Sequence, residues 1–187
     1  MRLVAIFVFI FISGGLRGQL LMNDDRLQLN ESRRSFGVSF SGSMNSAISG
    51  GVFYGRKSRL HLSFCLQDNG QAGKKIDEQL SNYGIAIRGD GKYFESLDVG
   101  YSYIIKRVFT VYVEASLGKE NTYTNYFDDR FKGGGYYLIT MKEHIRGAGF
   151  NLGYILPSDG KLAIEIHSGY HSMKQFNIGL RVILHSN

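Results

Sequence analysis

Residues 109–118 read Phe-Thr-Val-Tyr-Val-Glu-Ala-Ser-Leu-Gly, and this stretch decides the fold class. Successive side chains of an extended chain point to opposite faces, so Phe109, Val111, Val113, Ala115 and Leu117 share one face. Thr110, Tyr112, Glu114, Ser116 and Gly118 share the other. The same alternation recurs over 34–43, 47–55, 59–67, 94–105, 145–156, 161–171 and 175–184, and with 108–118 it makes eight strands. An even number of alternating segments of about ten residues predicts an all-β protein, a single antiparallel up-and-down transmembrane β-barrel.

Connection lengths point the same way, because such barrels have short periplasmic turns and longer extracellular loops. Tight links fall at Arg56–Ser58, Lys106–Arg107 and Pro157–Gly160, whereas residues 68–93 and 119–144 form two long links. The first and last links on the long-loop side are short, a departure from the usual picture. Within the first long link, Tyr83–Ile87 followed by Arg88, Gly89, Asp90, Gly91 and Lys92 suits either a hairpin turning at Asp-Gly or strands continuing beyond the membrane. The second reading keeps the strand count even.

Ahead of the barrel, Arg2, the apolar run Leu3–Ile12 and the small residues Ser13, Gly14 and Gly15 read as a signal peptide within residues 1–18. Cleavage before Leu16 and cleavage before Gln19 both remain open. The apolar run falls short of the roughly 20 residues a spanning helix needs. Residues 19–33 form a polar lead-in, and 34–187 form the barrel domain. The chain carries 22 Lys and Arg against 16 Asp and Glu, and losing Arg2 and Arg17 with the leader cuts the surplus to four, which gives no support to nucleic-acid binding. The single cysteine, Cys65, cannot form an internal disulfide and reads as a small space-filling side chain on the polar face.

Alternation alone does not say which face is the core, since a soluble lipocalin-like barrel has the same period with its apolar side chains inside. The polar face here carries Gly37, Ser39, Ser41, Ser63, Gly100, Ser102, Ser116, Gly147, Gly149, Gly153, Gly169 and Gly179, residues too small to coat a soluble surface but suited to a narrow lumen. The apolar face carries Phe36, Tyr54, Tyr101, Tyr103, Phe109, Tyr154, Tyr170 and Phe176 toward strand ends, as interfacial rings would be. On these features the chain resembles the small eight-stranded outer-membrane barrels of Gram-negative bacteria, including the porin-family barrels, over residues 34–184. The resemblance implies an outer-membrane location, lipid contact and insertion by the barrel assembly machinery. It departs at the end of the chain, where those families place a terminal aromatic residue and this one has His185, Ser186 and Asn187 after Leu184.

An inward polar face places Arg59, His61, Asp98, Glu114, Glu165, His167 and Arg181 in a narrow lumen, where charges of both signs must pair. The expected result is a closed, salt-bridged plug, with a narrow porin-like channel for small solutes as the alternative. A three-residue turn at 172–174 would set Glu165 opposite Arg181. The same reasoning sets Asp98 facing Glu114, with Arg59 or Arg181 reaching across to them. Tyr123, Tyr126, Phe127, Arg130, Tyr136 and Tyr137 are candidates for surface contact or for closing the outer rim.

No catalytic site, cofactor site or metal site is expected. His167 and His171, four apart on a strand, are separated by roughly 13 Å. Asn125, Asp128 and Asp129 could attract calcium, but they follow no established loop motif. The lipid A deacylase barrels are similar in size to this chain, which would imply a Ser, His and acid constellation. Their His-x-Ser-Asn motif is missing; His171 and Ser172 are adjacent and no acid follows them. The overall expectation is a monomeric outer-membrane protein with a structural or surface-binding role.

Overall fold

The computed structural model describes residues 34–71, 73–76, 85–106, 108–128, 130–132, 134–156 and 161–186. The leader, the lead-in and the Pro157–Gly160 link lie outside them, as do Arg107 and Asp129. Nine strands follow one another: β1 (Ser35–Ser43), β2 (Ala47–Gly55), β3 (Ser58–Gln67), β4 (Lys74–Ile76), β5 (Ile85–Ile105), β6 (Phe109–Phe127), β7 (Gly135–Leu156), β8 (Leu162–His171) and β9 (Gln175–His185). Eight of them pair antiparallel in the order β7-β6-β5-β3-β2-β1-β9-β8, and β7 also pairs with β8, which closes the sheet into a barrel. The short β4 lies outside this ring, parallel to Tyr136–Leu138 of β7. No helix among the described residues is long and apolar enough to cross a membrane.

Alternation assigns the faces throughout. Val38, Phe40, Val52, Leu60, Leu62, Val99, Val113, Leu152, Ile164 and Leu180 project outward and are exposed. Ser63, Asp98, Ser102, Ser116, Glu165 and Arg181 project inward and are buried. Such a distribution inverts that of a soluble barrel. At the end where β1 begins and β9 finishes, here the terminal end, Phe36 faces Tyr54 and Phe109 faces Tyr154 across strand pairs. These rings, together with Tyr101 and Tyr103, ring the outer surface as side chains at a headgroup boundary would.

The lumen is layered. Phe53, Ile104, Ile155, Ala163 and Ile183 form a buried apolar cap at the terminal end. Ala47, Cys65 and Phe94, with Ile145 and Met173 against them, form a second at the opposite, loop end. Cys65 thus fills space on the inward face, packed with Ala47 and Phe94 and set between its strand partners Ser49 and Ser96. The signal for the first cap was present in the sequence, because alternation lapses at Phe53-Tyr54, Ile104-Ile105, Ile155-Leu156 and Ile183-Leu184, where both faces become apolar.

Three strands outgrow the barrel. β5, β6 and β7 have 21, 19 and 22 residues, whereas the other barrel strands have 9 to 11, so a three-stranded blade projects roughly 30 Å beyond the loop end. Most of the span read as the second long link is therefore strand. In the first link, Asp90 and Gly91 pair with Thr124 and Tyr123 instead of turning a hairpin, and Gly89 takes the left-handed φ of 71° beside a register shift. The β5–β6 turn is one residue longer than expected, since Ile105 pairs with Phe109. The observed register puts Asp98 opposite Ser116 and Glu114 opposite Gly100, two positions away from the expected pairing, so the two acids do not face each other.

If the exposed belt faces lipid, Val113→Arg should cost roughly 2–4 kcal/mol of folding stability in vesicles, while Met44→Arg, on an exposed turn, should cost little. Urea titration of the refolded barrels measures the difference; equal midpoints would place Val113 outside a bilayer.

Candidate functional site: the charged lumen

Between the two caps lies a continuous polar network. Glu165 of β8 is the register partner of Arg181 of β9, across a three-residue turn at 172–174, and Arg181 donates to its Oε1. From the far wall, Arg59 Nη1 of β3 donates to Glu165 Oε2 at 3.4 Å. One carboxylate therefore holds two guanidinium groups, all of them fully enclosed. Aromatic faces complete the arginine surroundings, with Arg181 4.5 Å from the Tyr112 ring centroid and Arg59 5.5 Å from that of Phe53.

Tyr112 links this cluster to a second one. Its hydroxyl donates to Glu114 Oε2 at 2.9 Å, and its ring packs edge-on to His61, whose Nε2 lies 2.7 Å from Ser102 Oγ. Nearer the loop end, Lys174 Nζ donates to Asp98 Oδ2 at 2.7 Å and to Glu114 Oε1 at 3.2 Å, and Ser96 Oγ donates to Asp98 Oδ1 at 2.8 Å. Lys174 belongs to the β8–β9 turn, folds inward and is buried. It does what was expected of Arg59 or Arg181, which stay with Glu165.

Sequence reasoning missed Lys174 because a lysine in a turn ordinarily points to water. One signal was available: Arg59 and Arg181 leave one negative charge in excess against Asp98, Glu114 and Glu165, so a sealed lumen needed a third cation. Glycines make room for the network. A Cβ at Gly100 would overlap the Tyr112 ring, and one at Gly153 would overlap the Glu165 carboxylate. Among these side chains lies a cavity of about 20 Å³ bounded by Tyr112, Glu114, Asn151, His167, Lys174 and Arg181, about enough for one water molecule.

Ser116, His171 and Glu114 come together in a way that superficially suits nucleophilic catalysis. Ser116 Oγ is 2.9 Å from His171 Nε2, and Glu114 Oε1 is 4.0 Å from that same nitrogen. The other ring nitrogen, Nδ1, accepts from the backbone N–H groups of Met173 and Lys174 at 3.1 and 3.4 Å. In a neutral ring the proton is then on Nε2, which donates to the serine and cannot take its proton. Ser172, the serine adjacent in sequence, accepts from the Ala148 N–H instead. Among the described residues no group of three or more His, Cys, Asp or Glu side chains is placed to hold a metal ion.

The loop-end aromatic residues are divided between interior and surface. Tyr123 and Tyr136 are buried, the first packed on Tyr93 and Tyr137 and donating to the Asn69 carbonyl, the second stacked on Tyr126 and against Phe131. Burial withdraws both from surface contact, because they supply the small core that stiffens the blade. Phe127 and Arg130 remain exposed, and Tyr126 and Tyr137 are half-buried. Of the possible calcium ligands, Asn125 donates to the Gly70 carbonyl and Asp128 is engaged by Arg130 at 2.6 Å. Hydrogen bonding from that guanidinium holds the Asp128 carboxyl below its ordinary 3.8.

No family model and no curated protein matches the chain. Among solved structures it is similar to Ail, the attachment invasion locus protein of Yersinia pestis, at 12% identity over 82% of this chain and 95% of that one, with a TM-score of 0.39. Neisserial surface protein A is similar at 10% identity, over 81% and 94%, with a TM-score of 0.39. The N-terminal β-barrel domain of Pseudomonas aeruginosa OprF is similar at 12%, over 83% and 97%, also at 0.39. All three are small eight-stranded outer-membrane barrels.

Removing one member of the network should be costly, because its partners stay buried without compensation. Glu165→Gln and Lys174→Met should each cost about 3–5 kcal/mol, and exchanging charges in E165R/R181E should recover part of the loss of E165Q, though Arg59 would then lack its carboxylate. Urea midpoints for the four proteins test this; unchanged midpoints would mean the network contributes nothing.

Proposed function

We propose that the chain is a monomeric integral outer-membrane barrel with a closed lumen, serving as a structural element or as a surface-binding one through its loop-end blade. One observation carries the reading: aliphatic and aromatic side chains cover the outside, while balanced, buried charges fill the interior between two apolar caps. A soluble surface of that composition would aggregate, whereas in a bilayer it is the favoured solvent contact. The leader-like residues 1–18 fit export, and the barrel assembly machinery would be the inserting partner.

Closure favours this role over a channel. A conducting path would have to open both apolar caps and separate three acids from three cations in a space shut off from bulk water. The geometry of His171 likewise favours a non-enzymatic role over a deacylase. Surface binding would fall to the exposed Phe127 and Arg130 and the partly exposed Tyr126 and Tyr137 on the blade.

Expression of the full chain in a Gram-negative host, followed by fractionation and electrophoresis, tests the proposal. The expected outcome is recovery with outer membranes and a mobility that changes on boiling, with no steady conductance when the purified barrel is added to a planar bilayer. Recovery in the soluble periplasmic fraction would overturn the membrane reading. Stable unitary conductance would overturn closure.

A further inference from the structure

The outer wall is not uniformly apolar at the loop end. On β1, β2, β3, β8 and β9 the outward positions toward that end are Phe40, Ile48, Leu66, Tyr170 and Phe176. On β6 and β7 they are basic: Leu117 pairs with Arg146, and Lys119 in the next row pairs with His144. Lys119, His144 and Arg146 are all exposed. Glu95 of β5, opposite Lys119, is the acid nearest in register, yet neither Lys119 nor Arg146 makes an ion pair with any described residue.

These side chains border a surface cavity of about 440 Å³ whose floor is Phe64, Leu97 and Leu117 and whose rim is Glu95, Lys119, His144 and Arg146. One row further into the belt, Ala115 faces Ala148, so no bulky side chain fills the surface below Arg146. A second groove, of about 620 Å³, begins at Ala148 and runs between Phe150 and Leu152 on one side and Tyr170 and Phe176 on the other. The arrangement is a cationic rim at the edge of the hydrocarbon zone, directly above apolar furrows.

We propose that this side of the barrel is a binding site for a phosphorylated lipid of the surrounding leaflet, its phosphate held by Lys119 and Arg146 and its acyl chains lying along the furrow at Ala148. The inference rests on the membrane reading above. Charge complementarity selects the headgroup, since two unpaired cations and a histidine outweigh one carboxylate and Arg146 can meet a phosphate with two parallel N–H donors. The apolar floor selects a lipid over a free anion. Confinement to two neighbouring strands separates the patch from general snorkelling of long cations, which would occur around the whole rim.

The test uses the full chain refolded in neutral detergent, with native mass spectrometry after addition of lipid A or of its dephosphorylated form. Wild type should retain one lipid A, the dephosphorylated lipid should be held at least tenfold less, and K119A/R146A should lose at least tenfold in retention. Arg146→Lys should keep part of it. A change of mobility on boiling, checked for every variant, verifies folding. Equal retention by wild type and K119A/R146A, or indifference to the phosphate, would overturn the site while leaving the membrane reading intact. Displacement of the lipid by millimolar inorganic phosphate would overturn the lipid assignment in favour of a free-anion site. A wild type recovered as a soluble periplasmic protein would remove the membrane reading, and the site with it.

Discussion

A charge inside a barrel this narrow is cut off from bulk water, and the structure is organised around that fact. Three carboxylates and three cations share the lumen, and each finds its counter-charge within it. Lys174 is the decisive member. It comes from a turn, where it would ordinarily be solvated, and entering the barrel costs it its hydration. Asp98 and Glu114 offset that cost, and without it they would lie close together with no nearby cation. The β8–β9 turn is therefore tied to β5 and β6 across the lumen, so closing the loop end and neutralising the interior are the same event.

The two apolar caps give the network its strength. By excluding water at both ends they keep the local dielectric low, which strengthens each ion pair and equally penalises any that is broken. Small residues on the inward face are the geometric counterpart. Glycines at 100 and 153 let the Tyr112 ring and the Glu165 carboxylate lie flat against the wall, where any side chain would collide with them. Rigidity, charge balance and closure then follow from one packing arrangement.

Beyond the barrel a different interaction takes over. The blade of β5, β6 and β7 has neither lipid nor a closed ring to support it, so tyrosines pack it from within and residues 68–71 and 73–76 strap it. Asn69 donates to the Lys92 carbonyl, Tyr123 donates to that of Asn69, and β4 extends the sheet along β7. An exposed edge is a liability in a long strand, and β4 covers part of it. The same three strands carry the cationic patch at their base, so the outer face changes from lipid-compatible to polar along one continuous set of strands.

Sequence alone determined the period, the number of barrel strands, the face that turns outward and the inward ionisable residues that lie within strands, because alternation is a local property and the small residues on one face have no other physical use; Lys174, in a turn, fell outside its reach. It determined the Glu165–Arg181 register as well, since a three-residue turn fixes parity. Tertiary structure decided everything that depends on a distance across the lumen. Arg59 meets Glu165 only because β3 and β8 stand on opposite walls, and Lys174 meets Asp98 and Glu114 only because the barrel closes beneath its turn. The offset between Asp98 and Glu114 is two positions along the strand and follows from where the β5–β6 turn sets Ile105 against Phe109, which local propensity does not resolve. Strand length beyond the membrane was hidden for a related reason: outside the bilayer no solvent contrast enforces alternation, so β5, β6 and β7 continue through residues whose pattern reads as loop.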